Sequence, residues 1–219
     1  VALSWIVLSF FGALPFVISG EIPSLVDAFF ETVSGFTTTG ASILTDVEAM
    51  SHSMLFWRSF THLVGGMGVL VFALAVIPRT SNESALIMKA EVPGPTFGKI
   101  LPKVRYSARM LYIIYLAMTG IVVIFLLFGG MSLFDALLHA FGAAGTGGFG
   151  IKNTSIGFYD SAYIDMVLAI AMLVFGVNFN IYYFALMGKT KEVFKSEELK
   201  WYLIIVFGAV AIIFLNIMP

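Results

Sequence analysis

The sequence predicts an all-α membrane protein assembled from repeated units of span, re-entrant half-helix, loop and span. Three observations predict it. Of 219 residues, 59% are hydrophobic and 11% charged, with a mean hydropathy of +0.98. Soluble domains carry about 25% charged residues and cannot hide so much apolar surface. Five stretches, about 1–19, 55–78, 107–128, 161–187 and 200–218, are apolar over the roughly 20 residues that a helix needs to cross a bilayer. The chain also repeats itself at an offset of 108 residues.

The first span, 1–19, opens at Val1 inside an apolar run with no Met, basic flank or cleavage site, as expected of a trimmed piece and not of a signal peptide. The segment 20–54 follows and holds a short apolar stretch, 25–36, too short to span and too apolar to be solvated. Twelve helical residues reach about 18 Å, roughly half a membrane. A re-entrant half-helix is therefore expected, buried in protein or lining a water-filled cavity. The second span, 55–78, stops at Pro78 and completes a first unit, 1–78. After a basic stretch, 79–106, the second unit runs over 107–187, with span 107–128, re-entrant segment 129–160 around an apolar stretch at 133–144, and span 161–187. The remainder, 188–219, reads as a linker and the first helix of a third unit.

Charge sets the orientation. Arg79, Lys89, Lys99, Lys103, Arg105 and Arg109 lie in or beside the first basic stretch, and Lys189, Lys191, Lys195 and Lys200 in the second. Together they are ten of the twelve basic residues, which the positive-inside rule assigns to the cytoplasm. The re-entrant segments then enter from outside. Their flanks carry Glu21, Asp27, Glu31, Asp46, Glu48, Asp135 and Asp160 against Lys152 alone, an acidic vestibule that would concentrate cations. Each acid taken singly reads as loop solvation or helix capping. A net charge of −1 gives no basic face for nucleic acid, and zero Cys excludes thiol catalysis, Cys-ligated zinc and iron–sulfur clusters.

At the 108-residue offset, Ser24-Leu25-Val26-Asp27-Ala28 falls on Ser132-Leu133-Phe134-Asp135-Ala136, and Thr38-Thr39-Gly40 on Thr146-Gly147-Gly148. Serine with Asp three residues later is a capping-box variant, and the Asp sits where the helix dipole favours an anion. Each half-helix then runs into a Thr/Gly stretch: Gly35-Phe36-Thr37-Thr38-Thr39-Gly40 in one copy, Ala144-Gly145-Thr146-Gly147-Gly148-Phe149-Gly150 in the other. The negative end of a half-helix favours a cation at the membrane centre. Glycine lets successive carbonyls turn toward one axis and replace a hydration shell, which suits a weakly hydrated ion such as K⁺; divalent ions would recruit carboxylates. Tight turns alone would explain one such stretch, but not two behind matched half-helices.

The segments Phe30 to Ala41 and His139 to Phe149, together with Trp57-Arg58-Ser59, Gly65-Gly66-Met67-Gly68 and Asn178-Phe179, resemble the Trk/Ktr/HKT-type potassium transporters, in particular their bacterial TrkH-like branch. The resemblance implies four span–loop–span repeats around one pore, K⁺ as the transported ion without an organic cofactor, and a home in the bacterial inner membrane. It further implies a homodimer in lipid and a cytosolic nucleotide-binding regulatory subunit. Carried over, Thr37, Thr38, Thr39 and Gly40 form one filter strand, and Gly145, Thr146, Gly147, Gly148 and Phe149 another. Two repeats are complete, so two strands and the gating loop of the third repeat are missing. His62-Leu63 departs from the Gln-Trp pair common at that place.

Arg58 and His62, four apart, share one helical face. Arg58 either supports the Thr/Gly loop by bonding its backbone or snorkels to the outer interface; His62 is a packing or hydrogen-bonding residue. With His52 and His139 remote, no metal-ligand spacing exists among the histidines. The glycines at 65, 66 and 68 suit close helix packing. Asn178 and Asn180, deep in an apolar span, must bond across helices or face the pore, so Asn178 joins Arg58 as a pore-support candidate. A secondary transporter with broken helices and a non-conducting scaffold subunit are the competing functions. The sequence holds no paired Asp, His-Glu-x-x-His or Gly-x-Ser-x-Gly for intramembrane catalysis.

Overall fold

The computed structural model describes residues 2–68 and 104–217. The second half of the predicted second span, 69–78, and most of the basic stretch, 79–103, lie outside the described residues. Among those described, the regular structure is helical: α1 Ala2–Ser19, α2 Leu25–Phe36, α3 His52–Gly66, α4 Val104–Phe128, α5 Leu133–Ala144, a 3-10 turn Ser155–Tyr159, α6 Ala162–Phe175, α7 Phe179–Leu186, α8 Thr190–Phe194 and α9 Glu197–Ile217. The predicted half-helices are α2 and α5, each of 12 residues. The 21-residue segment Ala108–Phe128 of α4 and the 21-residue helix α9 are long and apolar enough to cross a membrane.

The stretch 161–187, expected as one span, is broken. Helices α6 and α7 meet at a bend of 88°. Gly176 ends α6, its N–H bonding the Met172 carbonyl at 3.0 Å. Asn178 then caps α7, its Oδ1 accepting from the Asn180 N–H at 3.0 Å. The Tyr182 hydroxyl reaches back across the bend to the Val174 carbonyl at 2.6 Å. Hydropathy averages over three residues that carry the break.

Polarity is inverted relative to a soluble globule. Ile18 and Phe128 are 82% and 79% exposed, whereas Arg58, Glu31 and His62 are exposed by only 4%, 3% and 3%. The first pair is apolar surface left uncovered, while the second is buried charge and polarity that the protein interior must satisfy. Helix α2 packs between α1 and α3, and α5 against α3, α4 and α6. Trp57 Nε1 donates to the Gly12 carbonyl at 2.9 Å, holding α3 to α1. Leu138 and Ile151 of the second unit lie in one cluster with Ala13, Phe16 and Leu55 of the first. The shared helix α3 thus joins the two units.

Candidate functional site

Both half-helices start alike. Ser24 Oγ accepts from the Asp27 N–H at 3.4 Å and Ser132 Oγ from the Asp135 N–H at 3.1 Å. Both also end alike. Thr38 N–H bonds the Gly35 carbonyl at 3.0 Å and Thr39 N–H the Ser34 carbonyl at 2.9 Å; Thr146 N–H bonds Ala143 and Gly147 N–H bonds Gly142, both at 2.9 Å. This pair of bonds is the Schellman motif, whose pivot residue is left-handed and usually glycine. Here it is threonine twice, Thr38 at φ +54° and Thr146 at φ +55°. A β-branched residue there costs about 1–2 kcal/mol, so both copies hold the same strain at the same place.

The left-handed turn recurs two residues on, at Gly40 (φ +76°) and Gly148 (φ +66°). Thr37 and Gly145, at φ −85° and −81°, precede the pivots. Each strand therefore alternates in hand over four residues. The strands approach each other closely: a Cβ at Gly40 would run into the Gly147 carbonyl oxygen, and one at Gly145 would lie 3.3 Å from Thr38 Cγ2. Thr37 and Thr39 share a hydroxyl contact of 2.8 Å, and Thr37 Oγ1 donates to the Val33 carbonyl at 2.7 Å.

Helix α3 backs both strands. A Cβ at Gly65 would strike the Phe36 carbonyl, and one at Gly66 would lie 3.0 Å from the Ala144 carbonyl and from Gly145 Cα, so these glycines admit the ends of both half-helices. Two turns earlier, Arg58 Nε donates to Glu31 Oε1 at 2.6 Å and Arg58 Nη1 to the Gly150 carbonyl at 3.2 Å. Its guanidinium carbon stands 4.4 Å from the Phe149 ring centroid. Glu31 also accepts from Ser42 Oγ at 3.0 Å and from the Ile43 N–H at 3.1 Å. His62 packs against Phe149 with ring centroids 4.0 Å apart and the planes inclined at 50°, and its Nδ1 lies 2.8 Å from where a Gly147 Cβ would be. Arg58 thus bonds backbone beside a strand instead of snorkelling.

Glu31 was expected among solvated vestibule acids and is instead buried against Arg58. The buried positions 28, 31, 32 and 35 of α2 follow helical spacing, a signal that points Glu31 inward. Other vestibule acids also have structural partners. Glu21 accepts from the Ser51 N–H at 3.0 Å at the start of α3, and Asp135 from Tyr159 Oη at 2.9 Å. Glu48 takes Lys152 Nζ at 3.0 Å, and Asp46 takes Asn153 Nδ2 at 2.8 Å, so these loops join the two units. The hydrogen bond from Lys152, then that from the Asn153 N–H, holds the Glu48 carboxyl below its ordinary range. Asn178 is not brought to the strands: its Nδ2 donates to Glu198 Oε2 at 2.9 Å, tying the α6–α7 joint to α9.

The sequence profile of TrkH, described as a cation transport protein, matches residues 1–218. The chain belongs to the TrkH family. The Trk system potassium uptake protein TrkH of Escherichia coli (strain K12) is 38% identical over 216 residues, covering 97% of this chain and 44% of that protein. The related TrkG of the same organism is 33% identical over 215 residues, with the same coverage. The crystal structure of the potassium transporter TrkH from Vibrio parahaemolyticus superposes with a TM-score of 0.68 at 32% identity, over 85% of this chain and 37% of that one. The chain spans less than half the length of these TrkH-type relatives.

Proposed function

We propose that the chain supplies two carbonyl strands of a potassium-uptake pore, Thr37, Thr38, Thr39 and Gly40 from the first unit and Gly145, Thr146, Gly147, Gly148 and Phe149 from the second. The observation that carries this reading is the shared alternation of hand, with left-handed residues at 38 and 40 and again at 146 and 148. In an ordinary extended strand, successive carbonyls point to opposite sides. A left-handed residue at every second position turns them to one side, giving a ladder of neutral oxygens to a dehydrated cation. The negative ends of α2 and α5 lie at the start of these ladders and favour a positive charge there. The potassium-uptake names of the relatives agree with K⁺ as cargo.

In this reading Arg58 supports the strands from behind. Asn178 supports them indirectly through α6, whose Met172 Sδ would lie 3.4 Å from a Cβ at Gly148. Units 1–78 and 107–187 line the pore, and α9 opens a third unit whose remaining strands come from sequence outside this chain. The strands enter from outside the bacterial inner membrane, the basic stretches face the cytoplasm, and lipid covers the exposed apolar helix faces. A homodimer and a cytosolic nucleotide-binding regulatory subunit complete the assembly, and both symport and channel-like flux are compatible with it.

The test uses the full-length parent gene in a bacterium without K⁺ uptake of its own. Growth at limiting K⁺ is compared for wild type and Gly40→Ser, with membrane expression verified. Rescue by wild type and failure of the expressed variant is the expected result; equal rescue removes the first strand from the selective element.

A further inference from the structure

We infer that Glu31 and Arg58 are positioning residues for ion selection, a single buried ion pair that ties the outer ends of the two Thr/Gly strands to each other. The inference rests on the reading of those strands as a filter.

The pair spans the two units. On one side Glu31 holds Ser42 Oγ and the Ile43 N–H, just past Gly40; on the other Arg58 holds the Gly150 carbonyl and lies over Phe149, just past Gly148. Ser42 and Gly150 are equivalent positions at the 108-residue offset. The two charges therefore reach the same point of both strands.

The second unit has no pair of its own. Glu31 corresponds to His139 at the same offset, and Arg58, counted from the capping serines Ser51 and Ser161, corresponds to Leu168. His139 Nε2 is buried without a partner, 3.0 Å from where a Gly150 Cβ would be, so it adds no bond to Gly150. Gly150 takes its side-chain bond from the neighbouring unit's arginine, 92 residues away. A buried ion pair is a weak source of stability because desolvation offsets its attraction, and holding one geometry is its better-attested use. An arginine fork suits that use, since its planar donors serve two acceptors at once while the face stacks on an aromatic ring.

The experiment measures K⁺/Na⁺ discrimination by the full-length protein in proteoliposomes, normalised to reconstituted protein. Arg58→Lys keeps a charge opposite Glu31 but cannot also bond Gly150 and stack on Phe149. Discrimination is expected to fall by about tenfold, the size of one charge-assisted hydrogen bond. The double variant Glu31→Gln/Arg58→Gln, which leaves no unpaired buried charge, is expected to show the same fall. Ser42→Ala, at an exposed position, gives a smaller fall in the same direction, and it decides the matter if the pair variants do not reach the membrane. Wild-type discrimination in the reconstituted pair variants, or in Ser42→Ala where that variant decides, overturns the proposal. Gly40→Ser run alongside separates the two readings. If it too discriminates normally, the filter assignment fails; if it alone loses discrimination, only the tie fails.

Discussion

Behind the first strand, α2 presents a carboxylate, Glu31, paired with Arg58; behind the second, the equivalent place on α5 holds the imidazole of His139, bonded through Nδ1 to its own helix at the Asp135 carbonyl, 2.8 Å away. In front, the two strands match in cap, Schellman motif and sign of φ. The difference separates what a duplicated sequence copies from what it does not. Cap and strand geometry follow from neighbours within a dozen residues, so they recur wherever the local pattern recurs. The backing depends on partners from other helices, and one arginine serves both strands.

The comparison breaks most severely at the strands. Gly40→Ser puts a side chain onto the Gly147 carbonyl in a left-handed residue, whereas Gly148→Ser meets only Met172 Sδ at 3.4 Å at a similar φ. Gly40→Ser is expected to abolish selective K⁺ uptake and Gly148→Ser to reduce it, as read from growth at limiting K⁺. The reverse order would mean that contact between the strands does not set tolerance.

Next come the two equivalent backing positions. Glu31→Gln alone leaves Arg58 as an uncompensated buried charge, worth about 3–5 kcal/mol of destabilisation. His139→Gln replaces a neutral group by a neutral group and is expected to cost less than about 1.5 kcal/mol. Thermal unfolding in detergent distinguishes them, and equal shifts would sink the claimed asymmetry. Asn178→Ala removes the α7 cap and the Glu198 bond, costing about 1 kcal/mol. It is expected to shift the unfolding midpoint while changing K⁺/Na⁺ discrimination far less than Gly40→Ser.

The smallest effect belongs to the outer loops that join the units. Because the folded-state carboxyl of Glu48 lies below its ordinary value of 4.5, its tie to Lys152 is fully present above that pH and is lost as pH falls through the folded value. Protection of the Val47 and Asn153 amides, their exchange compared with the intrinsic rate at each pH, should stay constant from neutral pH down to about 5 and weaken below it, whereas in Lys152→Met, which lacks the tie already, it should change less. Parallel pH profiles would remove Glu48 as the cause.

The sequence made the half-helices legible because Ser24/Asp27 and Ser132/Asp135 announce a helix start, and the Thr/Gly stretches an end, within short windows. Left-handed Thr38 and Thr146 were not legible: a β-branched residue in that conformation runs against propensity, and the Schellman bonds to the end of each half-helix hold it there. The break at 176–178 hid inside a long apolar run, although Gly176 with Asn178 is an end signal followed by a cap. Glu31 was misplaced because its charge was read without its helical face. The bond from Arg58 to Gly150 leaves no local trace, since 92 residues separate its ends.

The seating of α3 limits how such a chain can be recombined. Duplication reads the boundary between units after α3, but Gly66 meets the end of α5 and Tyr115 Oη of α4 bonds the Leu63 carbonyl at 2.8 Å. A crossover placed in the gap between the units would import an α3 shaped for another partner's half-helix. Chimeras that exchange α3 together with α4 and α5 keep these seams intact, so the inheritable block is offset by one helix from the repeated one.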